Sequence, residues 1–131
     1  MFLDTSGLLC CLDRREHDHA SAVEFMAAAD WRMTHNLVLT ELVALAPKRG
    51  LNRKVVLQFT VELQESPTLD VVFVNEEIHD LAMRLLEERF DKDWSLCDAV
   101  SFILMREWRI QDALTTDHHF EQAGFCRLLK P

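Results

Sequence analysis

The sequence contains little that would keep it loose or staple it shut. Three glycines and three prolines in 131 residues leave small scope for long irregular loops or low-complexity linkers. The four cysteines, Cys10, Cys11, Cys97 and Cys126, form no C-x-x-C pair, and adjacent Cys10 and Cys11 make a poor chelating unit for zinc. They read as reduced, mostly buried thiols of a cytosolic protein. No apolar run reaches the ~18 residues needed to span a bilayer, and no signal peptide opens the chain, because Met1-Phe2-Leu3 meets Asp4 at once. The expected location is cytoplasmic, with no membrane partner. Positive charge is scarce too: 14 basic residues stand against 22 acidic ones, a net charge of −8. That balance argues against a broad basic face for non-specific nucleic-acid binding. It leaves open RNA recognised through bound metal and a few local arginines, and it suits a basic peptide partner equally well.

What is present is apolar and periodic. Hydrophobic residues make up 49% of the chain, enough for a substantial core and against a disordered tail. A chain this long buries roughly two thirds of its unfolded surface without staples. No internal repeat is visible, so one domain over residues 1–131 is expected. Met1–Leu3 reads as a short strand that stops at a turn, Asp4-Thr5-Ser6-Gly7. Glu16–Ala29 repeats apolar residues at helical spacing, with Ala20, Val23 and Ala27 on one face and Met26 beside them. Trp31–Thr34 is a second strand. Asn36 caps a helix over Leu37–Ala46, which Pro47 and Gly50 close, and Asn52 opens another with Val56, Phe59 and Leu63 inside. Asp70–Val74 is the clearest strand, its β-branched run suited to cover on both faces. Asn75 caps a helix whose buried stripe is Ile78, Leu81, Ala82, Leu85 and Leu86, with Glu76 and Glu77 facing the helix dipole. Ser95 starts a helix apolar nearly all round, hence central. Ala113–Thr115 and Phe125–Leu129 are short strands. Strands separated by helices predict an α/β domain with a parallel sheet, whose sites form outside the carboxyl ends of the strands.

Four acids stand out against this pattern, each with a bland alternative. Asp4 can be a cap paired with its Thr5-Ser6-Gly7 turn. Asp98 fits a capping box with Ser95. Glu41 can be the solvent-facing residue of its helix, and Asp117 can cap the turn at His118-His119-Phe120. Yet Glu41 is the only charged residue between Leu37 and Pro47, and Asp98 heads the central helix. Two carboxylates ~4 Å apart repel by roughly 4 kcal/mol at an effective dielectric of 20. Four converging would be tolerable only around a cation, and oxygen ligands select Mg²⁺ or Mn²⁺ over zinc.

The residues around these acids match a known family. Phe2-Leu3-Asp4-Thr5-Ser6 resembles the opening strand and first acid of PIN domains, and Thr40-Glu41 their helix-borne glutamate. Asp93-Trp94-Ser95-Leu96-Cys97-Asp98-Ala99 is similar to the segment with their third acid. Leu114-Thr115-Thr116-Asp117-His118-His119-Phe120 is similar to the segment with their fourth. The resemblance runs from Met1 to about Leu129 in the expected order. It implies a three-layer α/β/α fold on a five-stranded parallel sheet of order 3-2-1-4-5, and Mg²⁺- or Mn²⁺-dependent endoribonuclease activity. It further implies Asp4, Glu41, Asp98 and Asp117 as catalytic metal ligands, Ser6 and Thr115 as supporting hydroxyls, and membership of the VapC-type toxins, which dimerise and are held inactive by a small antitoxin. Asp4 and Asp98 are the expected direct ligands.

Other residues read as secondary. Lys48, Arg49, Arg53 and Lys54 are candidates for the RNA backbone, although a solvated turn is the simpler reading. Of His118 and His119 at most one can face the site, in surface or supporting duty. His17 and His19 read as solvent-facing, and Trp31, Trp94 and Trp108 as core or dimer contacts. A haloacid-dehalogenase-type phosphatase would need a second acid where Ser6 stands. A receiver domain would need an aspartate where Val74-Asn75 stands. A stand-alone RNA-processing nuclease and a non-catalytic binding module remain as alternatives.

Overall fold

The computed structural model describes residues 1–130. The strands are β1 (Phe2–Leu3), β2 (Arg32–His35), β3 (Leu69–Val72), β4 (Asp112–Leu114) and β5 (Cys126–Arg127). The helices are α1 (Thr5–Leu12), α2 (His19–Ala28), α3 (Asn36–Leu45), α4 (Arg53–Glu65), α5 (Glu76–Glu88), α6 (Leu96–Glu107) and α7 (His119–Gln122), with a 3-10 turn at Pro47–Arg49. The sheet is wholly parallel and ordered β3-β2-β1-β4-β5, as the resemblance implied. Phe2 pairs with Met33 on one side and Ala113 on the other, and Leu3 with Leu114. These central strand residues are fully buried, which a parallel sheet covered by helices requires. Strand order reverses between β1 and β4, so a crevice opens at their carboxyl ends.

Caps set several helix starts as expected. The Asn52 carboxamide oxygen accepts from the amides of Lys54 and Val55, Asn75 accepts from Ile78, and Ser95 forms a complete capping box with Asp98. Gly50, at φ 88°, closes the turn after α3.

The structure differs from the sequence reading in several places. The Asp4–Gly7 turn is instead the start of α1. Gly7 sits inside that helix because an added Cβ would overlap the carbonyl oxygen of Leu114, so its absent side chain lets α1 press against β4. In α2 the inward residue is Ala22, with Met26 half-buried, while Ala20, Val23 and Ala27 face outward. Abundant alanine on every side blurred the helical period there. Strand β3 lies at the sheet edge and only Leu69 is buried, so the β-branched run is not covered on both faces. Asn36 does not cap α3; its side-chain oxygen accepts the Val74 amide across at β3, and His35 holds the cap position. Leu81 is exposed on α5, Cys126 is exposed on β5, and β5 is shorter than Phe125–Leu129.

Candidate metal centre

Asp4 emerges directly after β1 and is 5% exposed. It occupies the position before α1 yet makes no side-chain cap. Its Oδ2 instead accepts the Thr115 hydroxyl at 2.7 Å and the Ser6 hydroxyl at 3.0 Å. Ser6 and Thr115 lie 3.0 Å apart. The backbone amides of Thr116 and Asp117 donate to the Ser6 and Thr115 hydroxyls, each at 3.0 Å. One hydroxyl thus ties the residue after β1 to the segment after β4. Burial pushes the Asp4 carboxyl up to about 6; the Thr115 bond opposes this and the nearby Asp98 charge adds to it.

The other acids join through neighbours. Asp98 Oδ2 accepts the Ser95 amide at 3.1 Å and also lies 3.1 Å from His119 Nδ1. The same Nδ1 lies 3.3 Å from Asp117 Oδ2, while the His119 amide donates to Asp117 Oδ1 at 2.9 Å. Cys97 meets the remaining acid. Its thiol is pushed far above the ordinary range by burial first, then by the charges of Glu41, Asp4 and Asp98. Thr115 therefore connects the Asp4 carboxylate with the Asp117 backbone, His119 Nδ1 lies between the Asp117 and Asp98 carboxylates, and the Glu41 charge acts on Cys97, next to Asp98 in the chain. The capping reading of Asp98 and the cluster reading hold together, because its carboxylate does both.

Behind the cluster a buried contact braces two of the elements that bear it. His35, at the end of β2, donates from Nε2 to Ser101 Oγ at 2.9 Å, and Ser101 donates to the Cys97 carbonyl at 3.0 Å. Burial pushes the His35 imidazole down to about 4. This fastens the strand leading into the Glu41 helix to the head of α6.

Sequence reasoning set His119 aside, and the structure places it between two of the acids. The signal available was its spacing, since the residue two after Asp117 opens α7; the expectation that at most one of the two histidines faces the site fails, because the exposed His118 also brings its Nδ1 to 3.6 Å from Asp117. His19 also departs from expectation, its Nδ1 lying 2.7 Å from the Cys10 carbonyl; His17 is exposed as expected. The basic residues Lys48, Arg49, Arg53 and Lys54 are exposed around the far end of α3. Lys48 lies three residues beyond the end of α3, in the 3-10 turn. Trp94 is buried against Phe102, whereas Trp108 is exposed and meets Trp31 at 6.4 Å between ring centroids.

A buried carboxylate beside a second one, with further acids joined to it, is the charge pattern that a divalent cation neutralises. Oxygen donors on rigid supports suit such an ion. A parallel sheet with acids at its switch point suits metal-assisted phosphodiester chemistry, and the chain belongs to the PIN domain family, whose model matches residues 1–125. Among known proteins it is similar to the 23S rRNA-specific endonuclease VapC20 of Mycobacterium tuberculosis. It is 30% identical to that protein from strain CDC 1551 / Oshkosh over 129 residues, 98% of this chain and 97% of the relative. The match to the protein from strain ATCC 25618 / H37Rv has the same identity and coverage. The crystal structure of Mycobacterium tuberculosis VapC20, described as a Sarcin-Ricin loop cleaving toxin, superimposes with a TM-score of 0.87 at 29% identity, covering 99% of this chain and 98% of that one.

Proposed function

We propose that this chain is a divalent-metal-dependent endoribonuclease and the toxin of a toxin–antitoxin pair, with Mg²⁺ or Mn²⁺ as its ion. What supports the reading most is that Asp4, Asp98 and Asp117 lie around Thr115 and His119 at the strand-order reversal, with the Glu41 charge acting on neighbouring Cys97. Asp4 and Asp98 hold the ion directly, Asp117 completes its shell, and Glu41 orients water. Held by these residues, a divalent ion would supply Lewis acidity at the scissile phosphodiester and lower the pKa of an attacking water. Ser6 and Thr115 keep Asp4 turned by occupying its Oδ2. Ribosomal RNA is the first substrate to test, since the relative that matches nearly the whole chain is named for 23S rRNA. A small antitoxin and a second copy of the chain are the proposed partners. Outward-facing Val23, Val55 and Val61 on α2 and α4 offer apolar area to one of them.

The deciding experiment is RNA cleavage by wild type and Asp4→Asn, with Mg²⁺, Mn²⁺ or chelator. Loss of one ligand removes several kcal/mol of transition-state stabilisation, so cleavage falls about a thousandfold or more while the circular dichroism spectrum is kept. Activity near wild type in the folded variant, or in chelator, overturns the proposal. Growth arrest on expression, relieved by a neighbouring small gene, separates the toxin from a stand-alone processing nuclease.

A further inference from the structure

Resting on that reading, we infer that His119 is itself an inner-sphere ligand, so that the centre presents a nitrogen beside its carboxylates and selects a transition-metal ion such as Mn²⁺ over Mg²⁺. The geometry around Nδ1 carries the inference. It lies 3.1 Å from Asp98 Oδ2 and 3.3 Å from Asp117 Oδ2. Donor atoms bound at about 2.0–2.2 Å to one ion stand roughly 2.8–3.1 Å apart at neighbouring octahedral corners and roughly 3.3–3.6 Å apart at tetrahedral ones, so the first spacing matches an octahedral edge and the second lies about 0.2 Å outside it.

The supports of the three donors fit the same role. Asp117 has its Oδ1 engaged by the His119 amide, which turns Oδ2 toward the imidazole. Asp98 is held at the head of α6 by the Ser95 amide. The His119 side chain is 19% exposed, against 65% for His118; the His118 Nδ1 also reaches Asp117, at 3.6 Å, but of the two rings only His119 meets Asp98 as well. Among the described residues no hydrogen bond engages its Nε2, which leaves the tautomer with the proton on Nε2 and the lone pair on Nδ1 free to form. Imidazole nitrogen suits first-row transition ions, whereas Mg²⁺ prefers oxygen donors and retained water. His119 therefore biases an otherwise oxygen-lined centre.

Pulsed electron paramagnetic resonance of Mn²⁺ added to the full chain tests this without reference to catalysis. Nitrogen modulation from a directly bound imidazole is expected in wild type and in His118→Gln, and is lost in His119→Gln. Calorimetric titration of His119→Gln should show Mn²⁺ affinity reduced at least tenfold, with Mg²⁺ affinity changed less than about threefold. Mn²⁺ bound in wild type without nitrogen modulation, or modulation persisting in His119→Gln, overturns the inference and leaves the nuclease reading intact. Absence of Mn²⁺ binding in wild type overturns both. Should His119→Gln fail to fold, the His118→Gln spectrum decides, because His119 is then the one ring left beside Asp117 among the described residues.

Discussion

Asp4 has to be ionised to hold a cation, yet its surroundings disfavour ionisation. Its pKa in the folded chain, about 6, lies above the ordinary 3.8. Between those values the folded state holds more proton than the unfolded state, so stability falls as pH rises through that window. In full, the contribution is on the order of 3 kcal/mol. With chelator present, Asp4→Asn should therefore gain melting temperature relative to wild type from about pH 4 to about pH 7. Mn²⁺ should stabilise wild type more than the variant and narrow that gap. A difference between the two proteins that ignores pH would mean that Asp4 is not strained. The Thr115 hydroxyl works in the opposite direction, since it donates to the ionised carboxylate at 2.7 Å and accepts the Asp117 amide at 3.0 Å. Thr115→Val keeps the shape and removes both bonds. It should cost about 1–3 kcal/mol in denaturant titration and move the acid limb of the cleavage profile to higher pH, because Asp4 then loses a bond that lowers its pKa.

At the scale of elements, stability and site separate cleanly in two substitutions. Gly7→Ala would push a methyl into the Leu114 carbonyl, displacing α1 from β4 just where Asp4 and Thr115 meet. It should lower stability by about 1–3 kcal/mol and weaken Mn²⁺ binding in calorimetry. Asn52→Ala removes the cap of α4 and should cost about 1 kcal/mol with metal affinity unchanged. The same contrast explains what could be read before the fold was seen. Caps such as Asn52, Asn75 and Ser95 are local signals, and the helices they open were legible from them. The acids were legible because a lone Glu41 in an apolar helix, and carboxylates following strands, violate the local pattern. Helix α1 was not, because Gly7 resembles a turn residue until β4 is seen lying against it. The outward face of Val23 was hidden by alanines, which weaken the helical period. The exposed edge at β3 depends on strand order, and no residue within Leu69–Val72 records that. His119 was passed over because its importance lies in meeting Asp98, 21 residues away, and spacing along the chain says nothing of that contact.

For the molecule as a whole, the proposed activity must work against its own charge. A net charge of −8 repels RNA, so binding has to draw on the ion at the acids and on local cations that escape neutralisation. Arg49 is partly spent, standing 3.8 Å from Glu16 and lending its carbonyl to Arg15. Arg53 and Lys54, in the first turn of α4, are exposed and form no ion pair among the described residues. With Lys48, which is likewise exposed and in no such ion pair, they are the proposed contacts to RNA phosphates, and the α4 pair is the one to test first. Replacing both by glutamine should raise KM with little change in kcat, because phosphate contacts position the strand without touching the reacting atoms. Each lost contact to single-stranded RNA removes about 0.7 from the slope of log affinity against log salt, so the double variant should flatten it by about 1.4. Fluorescence anisotropy over a salt series, in the Glu41→Gln background to limit cleavage, reads this directly. An unchanged slope would return Arg53 and Lys54 to a solvated turn and move the search for the RNA path to the opposite side of the acids.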